Sequence, residues 1–257
     1  MTAPEPSVLV EREGALLVIT LNRPHVRNAN NMEVAETIEA LIDRFDATPS
    51  ERVAILTGAG PTFCAGMDLK AFVDGVDPTT DRRGFAGLTR IPPDKPLIAA
   101  VEGHALAGGF EIVLACDLVV AASDATFALT EVRRGLVAQA GGLLRLPARI
   151  PYHVAMELAL TGERLSAPRA AELGLVNRVV EPGSALVEAR ALAAEILANA
   201  PLAVAGSKQI IVESADWTRE EAFERQRAIA APIFSSDDAT EGASAFIEKR
   251  SPVWRGR

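Results

Sequence analysis

Cysteine is scarce in this 257-residue chain: Cys64 and Cys116 are the only two. Neither belongs to a CxxC pair or sits near a cluster of the three histidines. A disulfide framework and a bound metal are therefore not what organises the molecule, and two reduced thiols are expected. An excess of positive charge is missing as well. Lys and Arg number 26 against 34 Asp and Glu, a net charge of −8, and no basic run is interleaved with aromatics. That argues against a nucleic-acid surface while leaving room for a local basic patch. Long hydrophobic runs are absent too. The most apolar window, Ile112 to Ala122, is interrupted by Asp117 and is too short to span a bilayer. The start, Met1 to Pro6, has neither the basic stretch nor the apolar stretch of a secretory leader. A soluble, cytoplasmic protein with no nucleic-acid or membrane partner is the expectation.

Three familiar loops are also incomplete. Gly58-Ala59-Gly60 lacks the third glycine of a dinucleotide fingerprint. Gly103 to Gly108 has phosphate-loop spacing, but Gly109-Phe110 replaces the required Lys and Ser/Thr. Ser123 and Asp124 come without the Gly-x-Ser-x-Gly elbow of a serine hydrolase.

What is present is an ordinary globular balance, 49 % apolar and 23 % charged, on a chain long enough to bury a large core. Short apolar runs at 8–11, 16–21, 53–56, 97–101, 117–121 and 175–180 predict strands. Helical spacing recurs at 30–45, 109–115, 141–147, 151–160 and 167–172, then without interruption over 184–199, 202–213, 218–230 and 237–248. Strands and helices alternate up to about residue 180 and helices alone follow, so an α/β core (1–183) with a helical appendage (184–257) is expected. The polar stretch 74–84 reads as a mobile loop.

The stretch Val101-Glu102-Gly103-His104-Ala105-Leu106-Ala107-Gly108-Gly109-Phe110-Glu111 stands out. A buried strand leads into a glycine-rich turn that opens a helix with Glu111 in its first turn. Free N–H groups and the helix dipole there favour an anion. On the residues alone, Glu111 satisfies that helix end or moves a proton for a bound molecule. Glu131, twenty residues on, pairs with Arg133 or Arg134 at the surface or works on the same molecule. Asp68 suits a helix cap, Asp117 a structural hydrogen-bond acceptor and His104 a satisfied turn residue.

A second glycine-bearing transition runs from Ile55 through Gly58-Ala59-Gly60-Pro61-Thr62-Phe63-Cys64-Ala65-Gly66-Met67-Asp68 to Lys70. With the first, and with Phe127-Ala128-Leu129-Thr130-Glu131-Val132-Arg133-Arg134-Gly135-Leu136 after it, the chain resembles the enoyl-CoA hydratase/isomerase (crotonase) superfamily. The resemblance runs from Leu21-Asn22-Arg23-Pro24 to Phe246-Ile247-Glu248-Lys249.

It implies an α/β spiral of ββα turns, related to the Clp peptidase fold, in two roughly perpendicular sheets. It also implies a C-terminal helical region that drives trimerisation, with trimers stacking into hexamers. The substrate class is acyl-CoA thioesters, and no cofactor is needed beyond the substrate's own CoA. By the same resemblance, the amides of Met67 and Gly108 form an oxyanion hole. Glu111 and Glu131 are the two catalytic carboxylates of a hydratase. The backbone around Ala65, Met67 and Leu69 holds the adenine, with Lys70 near the phosphates. Phe246 and Lys249 reach a neighbouring subunit's CoA, and Arg23 serves similarly. Phe72, Phe85 and Leu88 roof the acyl chain. The chain departs from the common hydratase pattern at Thr130, Ala138 and Gln139, on the acyl side. Hydration of a trans-2-enoyl-CoA is the reading that follows. An enoyl-CoA isomerase that uses Glu131 alone and a non-catalytic acyl-CoA binder are the alternatives.

Overall fold

A computed structural model describes residues 5–257. Residues 1–4, and with them most of the stretch read for a leader, lie outside the described residues. The centre is a six-stranded sheet in the order β1 (Val8–Glu13), β2 (Leu16–Leu21), β3 (Val53–Gly58), β6 (Leu97–Val101), β8 (Leu118–Ala122) and β11 (Arg178–Val180). Only the β1–β2 pair is antiparallel. The inner strands are buried on both faces, which is why they read as unbroken apolar runs rather than alternating ones.

Alternate side chains serve two cores. Leu17, Ile19, Leu21, Ala54, Leu56, Ala99 and Val101 face the main one. It is covered by α1 (Met32–Ala47), capped by the Asn31 side chain on the Val34 amide, and by α3 (Gly108–Ala115), which is buried throughout. Leu16, Val18, Val53, Ile55, Ile98 and Ala100 face the other way onto α7 (Ala185–Leu197). Ala185, Ala189 and Ala193 recur every four residues along that helix, and their small side chains seat it directly on the sheet. Helices α8 (Pro201–Glu213), α9 (Arg219–Phe234) and α10 (Asp237–Glu248) follow. No helix among the described residues is long and apolar enough to cross a membrane.

A second, three-stranded sheet decides where the chemistry falls: β10 (Leu165–Ser166), β9 (Thr126–Ala128) and β7 (His104–Leu106). The glycine-rich turn expected after residue 101 contains β7, because the chain on either side pairs with it. On one flank β7 runs parallel to β9, Leu106 opposite Ala128. On the other, Cys64 bridges to Ala105, with Phe63 N donating to Glu102 O (2.9 Å) and Leu106 N to Cys64 O (2.9 Å).

The loop expected at 74–84 holds a small hairpin, β4 (Thr79–Thr80) with β5 (Gly84–Phe85), following α2 (Leu69–Val73). Arg83, 4 % exposed, ties the hairpin to α1 through Asp43 (2.7 Å) and Asp46 (2.9 Å). Helices α4 (Gly142–Arg149), α5 (Tyr152–Thr161) and α6 (Ala167–Glu172) lie between β9 and β11 in chain order.

Candidate active site

The loops after the parallel strands β3 and β6 leave the sheet at its carboxyl end, where open α/β sheets place their ligand sites. The first loop carries Met67. Asn30 and Met67 form a parallel bridge in which Asn30 N donates to Gly66 O (2.8 Å) and Asp68 N to Asn30 O (2.9 Å). The Gly66 carbonyl and the Asp68 amide on either side of Met67 are thus engaged, and the Met67 N–H turns the other way, with no backbone partner among the described residues. The second loop reaches Gly108 through Ala107, a non-glycine residue at φ 51°, whose amide is fixed on Ala128 O (2.8 Å). Such a backbone costs roughly 1–3 kcal/mol and persists only where its surroundings enforce it. Here it turns the chain abruptly from β7 into α3. The Gly108 amide also lacks a backbone acceptor among the described residues.

The two loops that carry these amides touch. A Cβ built on Gly66 would lie 3.2 Å from Gly108 N. A Cβ on Gly108 itself would lie 2.6 Å from the Phe85 ring, which explains glycine there. Phe85 and Leu88 are buried, whereas Phe72, the third residue expected in the roof, is 44 % exposed on α2.

Glu111, 3 % exposed, sits one turn into α3. Its carboxylate does not cap its own helix. Oε1 accepts from Ala140 N (2.8 Å) and Gly142 N (2.9 Å), at the start of α4. Glycine is required at 142 because a Cβ there would lie 2.9 Å from Glu111 Cγ. Burial pushes the Glu111 carboxyl above the usual range, and the two amides and the charge of Arg145 oppose that rise.

The parallel pairing of β7 with β9 brings the continuations of both strands to the same end, and Glu131 follows β9 by three residues. Its surface-pair reading is overturned. Arg133 pairs with Glu163 (2.5 Å), and Arg134 turns back to Thr130. Glu131 Oε2 is buried without a hydrogen-bond partner, and burial, with the charge of Glu111, pushes this carboxyl up to about 7. Two buried carboxyls that feel each other favour a single proton between them near neutrality.

A cavity of about 320 Å³ opens beside these loops, lined by Arg27, Pro61, Thr62, Ala65, His104, Leu106 and Arg164. Ala65 and Leu106 are each two residues before an expected oxyanion donor. Arg27 and Arg164 have no side-chain ion pair among the described residues, and no motif announced either one. Leu69 and Lys70 lie on the exposed face of α2, while Phe246 and Lys249 stand exposed at the end of α10 and do not line the cavity.

Arg23, expected near the CoA, is paired within the chain. Its guanidinium is held by Asp68 (3.1 Å) and Ala29 O, because Asp68, the cap of α2, lies within reach across the 64–68 loop. His104 lies on β7 rather than in a turn, its Nδ1 2.9 Å from Thr126 Oγ1. Asp117 accepts from Leu97 N (2.8 Å) and Lys208 Nζ (2.6 Å), a structural role.

With this geometry the chain compares closely with known proteins. The enoyl-CoA hydratase/isomerase family matches residues 11–257, and the protein belongs to that family. A carnitinyl-CoA dehydratase of Proteus mirabilis is 42 % identical over 98 % of this chain and 99 % of its own. An enoyl-CoA hydratase of Mycobacterium tuberculosis is 43 % identical over 98 % and 97 %. The crystal structure of an enoyl-CoA hydratase from Mycobacterium marinum superposes with a TM-score of 0.97 at 57 % identity, covering 98 % of this chain and all of that one. The fold is the crotonase fold, and the protein is an enoyl-CoA hydratase-like enzyme with chemistry of the hydratase/dehydratase type.

Proposed function

We propose that the enzyme adds water across the double bond of a trans-2-enoyl-CoA to give a 3-hydroxyacyl-CoA. The observation that carries this reading is the pair of carboxyls in unlike settings beside two unengaged backbone amides. The thioester oxygen accepts hydrogen bonds from Met67 N–H and Gly108 N–H, which stabilise it as negative charge develops; a single such donor is typically worth roughly 10²–10³ in rate. Glu111, held by two amides, enters as carboxylate and takes a proton from water as its oxygen bonds to Cβ. Glu131, with its raised pKa, enters protonated and delivers that proton to Cα. Passing a proton from Glu111 back to Glu131 closes the cycle, and no cofactor is consumed. Run in reverse, the same groups dehydrate a 3-hydroxyacyl-CoA.

The CoA portion is assigned to the backbone around Ala65, Met67 and Leu69 and to Lys70. Arg27 and Arg164 supply fixed positive charge in the adjoining cavity. Phe246 and Lys249 serve a neighbouring subunit's nucleotide in a trimer or a dimer of trimers. Self-association through residues 184–257 is supported by the apolar side chains this region leaves uncovered. Phe223 is 77 % exposed and Phe234 83 %, and α9 buries no residue within its own chain. The soluble, cytoplasmic setting expected from the sequence belongs to the same proposal.

The test mixes purified enzyme with crotonyl-CoA and longer enoyl-CoAs and follows loss of enoyl absorbance. Turnover supports the reading. Activity on 3-enoyl-CoA alone points to an isomerase, and tight acyl-CoA binding without turnover to a binding protein; either defeats it. Sedimentation as a monomer at micromolar concentration contradicts the oligomer.

A further inference from the structure

Arg145 occupies a place that local physics disfavours. It lies in the first turn of α4, the positive end of the helix dipole, where a cation is destabilising. It is partly buried, yet no carboxylate pairs with it among the described residues. Its guanidinium instead folds back over Gly141, so closely that a Cβ there would lie 2.2 Å from Nη1. Nη2 donates to Thr89 O (2.6 Å) and Nη1 to Ala140 O (3.4 Å). Each contact leads into the site. Ala140 belongs to the loop whose amides hold Glu111. Thr89, 2 % exposed, donates its own amide to Phe85 O (3.2 Å), and the Phe85 ring is the one that covers Gly108. One planar fork thus joins the Glu111 cradle to the segment packed over an expected oxyanion donor, and a planar five-donor group suits two divergent carbonyls better than an ammonium.

We propose that Arg145 is a positioning residue for the proton-transfer step: it fixes the 140–142 cradle of Glu111 against the Thr89 carbonyl and sets a positive charge beside that carboxyl. The charges facing Glu111 are Glu131, from the turn after β9, and Arg145 itself. Those facing Arg145 are Arg149 one turn on, Cys116 at the end of α3, and Glu111. Arg145 is the cation among the groups facing Glu111, and its charge opposes the rise that burial causes there. This inference rests on the hydratase reading above.

The experiment compares full-length wild type, Arg145→Gln and Arg145→Lys on crotonyl-CoA across pH, after circular dichroism and sedimentation have established equal folding and assembly. For Arg145→Gln, kcat is expected to fall by roughly 10²-fold with little change in KM, as a misplaced catalytic group does. The acid limb of the kcat profile is expected to move up by about one pH unit, because removing a nearby cation favours protonation of Glu111. Lysine restores the charge and not the fork, so the limb returns while kcat stays depressed. An unchanged kcat and profile in Arg145→Gln overturns the proposal. So does a fall in kcat with an unmoved limb, which marks a merely structural arginine. Should the glutamine variant not fold, Arg145→Lys decides alone: lowered kcat on a wild-type limb supports the proposal, and wild-type kcat defeats it. Wild type without enoyl-CoA turnover defeats the hydratase reading itself and this inference with it, whereas turnover unaffected at Arg145 defeats only the inference.

Discussion

The two sides of the site are held by different means. The amides of Met67 and Gly108 are set by backbone pairing: Asn30 with Met67, Cys64 with Ala105, Leu106 with Ala128. No charged side chain takes part in that pairing, and position 108 needs the absence of a side chain, since the would-be Cβ of Gly108 meets Phe85. The carboxyl side depends on side chains. Glu111 is cradled by loop amides that Arg145 secures, and Glu131 leaves one oxygen without a partner. The backbone half is pre-organised by strand pairing and by the close packing of Phe85 on Gly108. The side-chain half stores desolvation energy that keeps a proton available near neutral pH.

Substitutions that break the side-chain half come first in size. Glu111→Gln and Glu131→Gln each remove a proton-transfer group without changing shape. Each is expected to lower kcat on an enoyl-CoA by roughly 10²–10⁴-fold. Steady-state rates at saturating substrate check this. Full activity in either variant removes that glutamate from the mechanism. Tolerance at 111 with retained activity on 3-enoyl-CoA favours the isomerase.

On the backbone half, Gly108→Ala inserts a methyl where 2.6 Å separates it from the Phe85 ring, so ring and donor must part. A loss of roughly 10²–10³-fold in kcat is expected, the size of one lost oxyanion donor. Phe85→Ala combined with Gly108→Ala relieves the clash. Partial recovery in the double variant supports steric displacement of the amide, and strict additivity argues against it.

These two halves were legible in the sequence to different degrees. The long elements were readable because burial and capping are local. Asn31 with its helix, and the four C-terminal helices, lie within a few residues of where the apolar spacing puts them. Strand β7 was not readable, since His104-Ala105-Leu106 is too short to show a period and is a strand only because partners flank it. The approach of Glu131 to the site has the same origin. It follows from a parallel pairing between segments over twenty residues apart, which no spacing reports, and the family resemblance had to supply it. Arg23 shows the same limit: its pairing with Asp68, 45 residues away, is reported by no local spacing. Arg27, Arg145 and Arg164 carry no local signature at all, and only tertiary contacts single them out.

The smallest expected effect concerns stability rather than rate. The Glu131 carboxyl, pushed up to about 7 in the folded protein, lies above the ordinary glutamate value of 4.5. A carboxyl with a raised pKa favours the folded state most below its unfolded pKa, and that contribution is lost as pH rises through the folded value. Wild type therefore gives up stability between about pH 4.5 and 7 on account of this residue. Glu131→Gln never ionises, so it should match wild type near pH 4 and be the more stable near pH 8. The difference should be on the order of 1 kcal/mol, since the side chain keeps some solvent. Thermal or urea unfolding at the two pH values measures it. Glu111→Gln should gain less, because glutamine cannot accept from Ala140 N and Gly142 N as strongly as the carboxylate does. Equal gains at both positions would erase the distinction between the two glutamates on which the order of proton transfer rests.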